Sequence, residues 1–116
     1  MRALLILALL ASPVFAGQHD VEWNPPARFD HAPTVTVIQH LAPYDQVRSL
    51  CNAAFRRYGF EPLVMSYRTN GCAVLSNYAN ICEIFIASDP RGGTPISAIV
   101  RHERGHCAGW PADHPE

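Results

Sequence analysis

The chain of 116 residues contains no lysine, so all nine of its basic residues are arginines, and they face ten acidic residues. A net charge of −1 lacks the strong positive field with which proteins bind nucleic acid. Beyond Ala16 the sequence also lacks any apolar run of the roughly 20 residues that a transmembrane helix needs. The composition therefore argues against a nucleic-acid-binding protein and against stable insertion into a membrane once residues 1–16 are removed.

The short apolar run at the amino terminus has the three parts of a secretory signal peptide. Arg2 gives a positive start, residues 3–11 form the apolar segment, and Val14-Phe15-Ala16 resembles a cleavage site. We therefore expect residues 1–16 to be a signal peptide and the protein to be exported, to the periplasm or the extracellular space. The remaining chain of about a hundred residues suits one domain. We divide it into an extended arm over residues 17–33 and a single domain over residues 34–116.

Cysteine is scarce too, with four residues and no C-x-x-C pair. Export favours disulfides, and a four-thiolate zinc site is disfavoured because such sites use closely spaced cysteine pairs. Four cysteines allow three pairings, and the sequence does not choose among them firmly. We prefer Cys72–Cys82 together with Cys51–Cys107, the second bridge tying an early helix to a late one.

The apolar pattern predicts an α+β fold with a small and mainly antiparallel sheet and two principal helices. We expect the disulfides to cross-link this fold. We expect strands over residues 34–38, 63–68, 72–75 and 82–87. The first helix is predicted over Pro43–Tyr58, where apolar residues recur at three- and four-residue spacing. The second helix is predicted to use Thr94 as N-cap and Pro95 as its first residue, and to run for about fourteen residues.

The most informative stretch is residues 102–114, which read H-E-x-x-H-x-x-G-W-x-x-D-H. On a helix, His102 and His106 project from the same face one turn apart, so both imidazoles can bind one metal ion. Glu103 then lies close to a water molecule on that ion, where it can act as a general base. Gly109 provides a C-cap and Pro111 prevents the helix from resuming. The chain is therefore expected to turn back toward the metal.

This stretch resembles the zincin metallopeptidases, and Gly109 matches the glycine of the extended HExxHxxG signature of the metzincin-like group. The resemblance covers about the last quarter of the chain. It implies a small zincin-like domain in which His102 and His106 bind zinc and Glu103 is the catalytic base. The third histidine of that signature would fall at Ala112. We expect His114 to replace it, because imidazole is a common zinc ligand, with Asp113 as the alternative third ligand.

The resemblance also implies an edge strand beside the metal, where an extended peptide substrate can pair. Residues 82–86 are the candidate for that strand, and a central core strand is an equally good interpretation of them. The oxyanion needs a second donor, for which Tyr67, Tyr78 and His40 are candidates. Substrate sequence and oligomeric state do not follow from these patterns.

Two functions of different classes fit the sequence. The first is an exported zinc-dependent metallopeptidase that acts on a protein or peptide. The second is a non-catalytic metal-binding module of the cell envelope that binds a protein partner. Hydrolysis of a non-protein amide, such as a cell-wall peptide cross-link, is a third and separate alternative. A fourth protein ligand would mark a closed structural metal site, whereas an open coordination position would mark a catalytic one.

Overall fold

A computed structural model describes residues 24–61 and 69–116. The predicted signal peptide over residues 1–16, the first part of the arm, the predicted strand over residues 63–68 and the oxyanion candidate Tyr67 lie outside the described residues.

The described residues form one three-stranded sheet with a helix on each face. A short 3-10 turn, Ala27–Phe29, precedes strand β1 (Thr36–Ala42), helix α1 (Tyr44–Arg57), strand β2 (Gly71–Ser76), strand β3 (Ile81–Ala87) and helix α2 (Ile96–Cys107). The strand order is β1-β3-β2, with β1 parallel and β2 antiparallel to β3. The predicted α+β class with two principal helices is confirmed, and the described sheet is mixed.

The helix boundaries follow the predicted signals closely. Helix α1 begins one residue later and ends one residue earlier than predicted, with Val47, Cys51, Ala54 and Phe55 as its buried stripe. Helix α2 has Pro95, not Thr94, at its N-cap position and runs for 12 residues. The backbone of Pro95 is extended (φ −69°, ψ 148°), so the helical conformation starts only at Ile96.

Strand β3 is the central strand, so the interpretation of residues 82–86 as a substrate-binding edge strand is wrong. Six of its seven residues are buried, because its side chains alternate between two covered faces. Cys82, Ile84 and Ile86 pack with α2, whereas Phe85 and Ala87 pack with α1. A continuous apolar run is typical of a strand covered on both faces. Among the described residues, β1 and β2 are the edge strands.

The disulfides join Cys51 to Cys72 and Cys82 to Cys107, so the preferred pairing of Cys72 with Cys82 and Cys51 with Cys107 is wrong. The register of the antiparallel pair explains why. Cys72 lies opposite Phe85, and Cys82 lies opposite Leu75. The two cysteines are therefore three positions out of register and face opposite sides of the sheet. Each instead bonds to the helix on its own face.

Part of the predicted N-terminal arm belongs to the folded domain. Pro25 is buried against α2 at Gly105, where an added Cβ would lie 2.7 Å from the Pro25 Cβ. Arg101 of the same helix forms a two-pronged ion pair with Asp30. The absence of a side chain at Gly105 therefore allows the segment before β1 to pack on the helix that carries the H-E-x-x-H sequence.

The two disulfides indicate an oxidising compartment. Within residues 24–61 and 69–116, none of the helices has the length and apolar character that crossing a membrane requires.

Candidate metal centre

Helix α2 presents His102 and His106 side by side, as their four-residue spacing predicts. Their ring centroids are 5.0 Å apart, and both side chains are half-buried. Glu103 continues the buried stripe of the same helix with Ile99 and Cys107. The disulfide from Cys107 to Cys82 of the central strand attaches the last turn of this helix to the sheet.

The chain reverses direction directly after the helix. Gly109 adopts φ +105°, a left-handed conformation that glycine tolerates and that ends helices. The Trp110 N–H donates to the Gly105 carbonyl oxygen at 3.0 Å, and the Gly109 N–H donates to that of His106 at 3.1 Å. These two bonds form a Schellman motif. They direct residues 110–116, which we name the C-terminal tail, back along the helix.

The tail brings His114 to the two helix histidines. Its Nε2 lies 3.1 Å from the Nε2 of His106 and 3.2 Å from the Nε2 of His102. Two nitrogens bound to one tetrahedral zinc ion, each at 2.0–2.1 Å, are separated by about 3.3 Å. The three imidazoles therefore have the spacing of a three-histidine metal site, and they form the candidate metal site found among the described residues.

The protonation of His106 suits a metal ligand. Its Nδ1 lies 2.7 Å from the Trp110 carbonyl oxygen. Since a carbonyl oxygen can only accept, Nδ1 carries the proton and Nε2 presents its lone pair. Burial lowers the pKa of His106, the nearby His114 lowers it further, and the bond to Trp110 opposes both effects. The net lowering favours the neutral ring, which is the form that binds metals.

Glu103 carries a buried carboxyl group beside these histidines, and one of its two oxygens lacks a hydrogen-bond partner among the described residues. Only 5% of the residue is exposed, and its Oε2 has no hydrogen-bond partner within the part of the chain that the structure describes. Its Oε1 lies 3.8 Å from His102 Nε2. Burial raises the pKa of Glu103 to about 8. A cation held by the neighbouring imidazoles would favour the charged carboxylate, so the residues present fit a metal ion.

A cleft of about 420 Å³ opens beside the three histidines. Its walls come from distant parts of the chain and are largely apolar, with Phe55, Ala73, Leu75, Trp110, Pro111 and Ala112 among the lining residues. Residues from both faces of β2 line it, so the cleft follows this edge strand. Gly71 permits the close packing, since an added Cβ there would lie 2.9 Å from Ile99 Cγ2 of α2.

Other candidates from the sequence lie elsewhere. The alternative third ligand Asp113 is exposed and is not part of the histidine group. His40 bonds to Glu83 on the face that α1 covers. Tyr78 is fully exposed and lines a different surface concavity. Among the described residues, neither His40 nor Tyr78 contributes to the walls of the cleft.

The sequence did not identify the cleft walls. Phe55 falls within the helix predicted over residues 43–58, and Leu75 falls within the strand predicted over residues 72–75. Nothing in their local pattern indicates that they meet the histidines, because that contact depends on how the helices pack on the sheet.

No protein family, no curated protein and no solved structure matches this chain.

Proposed function

We propose that this protein is an exported, zinc-dependent metallopeptidase. The observation that carries the proposal is the convergence of His102, His106 and His114 in an open cleft, beside Glu103, whose Oε2 has no hydrogen-bond partner among the described residues. Three protein ligands leave one position of a tetrahedral zinc ion for water or substrate, as in catalytic sites. Zinc is the preferred ion because imidazole ligands in tetrahedral geometry suit it, although other divalent ions also bind imidazole.

When bound, Zn²⁺ would supply a Lewis acid for the substrate carbonyl and would lower the pKa of a water molecule. The three histidines would bind the ion, and Glu103 would act first as a general base and then as a general acid. Its carboxylate accepts a proton from the water whose oxygen forms a bond with the carbonyl carbon. It then passes that proton to the amide nitrogen as the carbon–nitrogen bond breaks. The hydroxyl of the water is then on the carboxylic acid product and its proton is on the amine product, and the Glu103 carboxylate is regenerated.

The shape of the cleft supports an extended peptide as the substrate. Strand β2 borders the cleft, so an extended peptide in the cleft would lie along this strand. Where backbone N–H and C=O groups of a strand are unpaired, they give a peptide affinity with little side-chain selectivity. The apolar walls formed by Phe55 and Leu75 favour an apolar side chain near the bond that is cut.

The predicted signal peptide and the oxidising compartment that the disulfides indicate support export, to the periplasm or the extracellular space. Mass spectrometry of the protein recovered after secretion should find Gly17 at the amino terminus. A secreted protein that still starts at Met1 would contradict this cleavage site.

A cleavage assay tests the proposed function. The purified, metal-loaded protein is incubated with a library of unstructured peptides, and the products are identified by mass spectrometry. We expect cleavage that stops when a chelator removes the metal and resumes when Zn²⁺ is restored. One stoichiometric zinc ion without cleavage of any peptide would favour the non-catalytic metal-binding module, and no bound metal would contradict both functions.

A further inference from the structure

The third histidine of the metal centre is held differently from the other two. His102 and His106 lie on one helix that a disulfide ties to the sheet. His114 is exposed and lies on the C-terminal tail, which has no helix or strand. Its φ of +57° is a left-handed conformation, which costs a residue other than glycine about 1 kcal/mol or more. Neighbouring contacts must therefore hold His114 in place.

One of those contacts is the bond that the His114 N–H donates to the Pro111 carbonyl oxygen at 3.0 Å, and Trp110 supplies others. Its indole Nε1–H donates to the Pro115 carbonyl oxygen at 2.9 Å, which fixes the residue directly after His114. Its carbonyl oxygen accepts the Nδ1–H of His106 at 2.7 Å. One buried residue, 5% exposed, therefore bonds both to a helix ligand and to the tail that carries the third ligand.

The indole ring also packs against all three imidazoles. It stacks on His106 at 4.9 Å between ring centroids, and it meets His102 at 5.1 Å and His114 at 4.8 Å edge to face. Each of the three rings is therefore in contact with the same aromatic side chain. Such packing restricts the rotamers of all three ligands at once.

We propose that Trp110 is a positioning residue of the metal centre, whose indole N–H bond to Pro115 holds the tail closed so that His114 reaches His102 and His106. The inference rests on the metal site of the proposed function, but it does not depend on peptidase activity. It assigns the tryptophan of the H-x-x-G-W sequence a role beyond the hydrophobic contact that accompanies a helix end.

The test compares metal affinity in two variants of the full chain. Trp110→Phe removes the donor and part of the ring, and Trp110→3-benzothienylalanine keeps the bicyclic shape but replaces N–H with sulfur. We expect both to bind Zn²⁺ about 10–100-fold more weakly in competition with a chromophoric chelator, a loss like that from removing a hydrogen-bond partner of a metal ligand, because His114 would no longer be held at the site. Tyr78→Phe, at a fully exposed tyrosine, is the control and should keep full affinity. Unchanged affinity in the benzothienyl variant would overturn the proposal.

A double-mutant cycle shows whether Trp110 acts through His114. If it does, adding Trp110→3-benzothienylalanine to His114→Ala should weaken zinc binding little further, because the tail then carries no ligand. If the double variant loses zinc affinity by the product of the two single losses, Trp110 does not act through His114. That result would overturn the proposal even if both single variants bind weakly.

Nuclear magnetic resonance of the metal-free chain separates this inference from the proposed function. With ¹⁵N-labelled histidine, we expect contacts between the His114 and His102 rings in the wild type and their loss in the benzothienyl variant. A wild type that binds no zinc would contradict the proposed metallopeptidase. The ring contacts would still show whether Trp110 holds the tail in the position that brings His114 to His102. Contacts that survive in the variant would overturn the role of Trp110.

Discussion

The two faces of the sheet each carry one helix, one disulfide and one buried glutamate, but the two glutamates have opposite surroundings. Glu83, on the α1 face, accepts hydrogen bonds from Tyr58 at 2.8 Å and Arg57 at 3.1 Å, and lies 2.8 Å from His40 Nε2. Glu103, on α2, has one oxygen without a partner among the described residues. The two residues are similarly buried, at 7% and 5% exposed.

The pKa values of Glu83 and Glu103 are shifted in opposite directions because of these surroundings. Burial alone would raise the pKa of Glu83, but the hydrogen bonds from Tyr58 and His40 and the charge of Arg57 lower it below its usual value. Burial without such partners raises the pKa of Glu103. A buried carboxylate with hydrogen-bond partners is compensated for its desolvation, whereas one without them lowers stability, and such groups are enriched at functional sites. The hydrogen-bonded Glu83 fits a structural role, and the partly unsatisfied Glu103 fits the catalytic role that we propose for it.

The largest expected effect is on catalysis. Glu103→Gln keeps the shape of the side chain but removes the proton acceptor, so we expect kcat for peptide cleavage to fall by about 10²–10⁴-fold, the usual contribution of a general base. Zinc content measured by mass spectrometry should remain one ion per chain. Glu83→Gln is the matched control and should keep kcat. Equal losses of kcat in the two variants would contradict the different roles that we infer for Glu83 and Glu103.

The disulfides should have similar effects on stability but different effects on the metal. They span 21 and 25 residues, so removing either pair by alanine substitution should lower the free energy of unfolding by about 3 kcal/mol in the chain-entropy model. Only the Cys82→Ala/Cys107→Ala pair should also weaken zinc binding, because Cys107 follows the ligand His106. Urea denaturation and chelator competition on both variants provide the comparison. Equal losses of zinc affinity would contradict it.

A smaller effect is expected from Glu83→Gln on stability. The charged carboxylate accepts bonds that a neutral amide replaces poorly, so the free energy of unfolding at pH 7 should fall by about 1–3 kcal/mol. Since folding lowers the pKa of Glu83, its contribution is complete above the unfolded value near 4.5 and is lost as the pH falls through the folded value. Denaturation curves of the wild type and the variant should therefore converge in acid. A difference that persists unchanged at low pH would contradict this origin.

The sequence predicted local features well and long-range ones poorly. The shared helix face of His102 and His106 and the helix end at Gly109 follow from the spacing of a few neighbouring residues, and both agree with the structure. The pairing of Cys72 depends on which face of the sheet that residue occupies, which follows from strand register and not from distance along the chain. The partners of Glu83 come from β1 and the end of α1, so no local pattern indicates them.

The candidate third metal ligand was predictable in part, because its identity followed from local residue chemistry and its position did not. A preference for imidazole over carboxylate favoured His114, and the structure brings its ring to the helix histidines. The sequence could not show how, because the bond from Trp110 to Pro115 and the left-handed backbone of His114 arise only when the tail has folded back.

X-ray absorption at the zinc edge of the loaded wild-type protein tests the central claim most directly. The three-histidine site predicts about three imidazole nitrogens and one oxygen of water at roughly 2.0–2.1 Å, with the outer-shell scattering that imidazole rings produce. The spectrum of His114→Ala should contain one imidazole fewer. A spectrum with four protein ligands, or one that His114→Ala leaves unchanged, would contradict the open three-histidine centre.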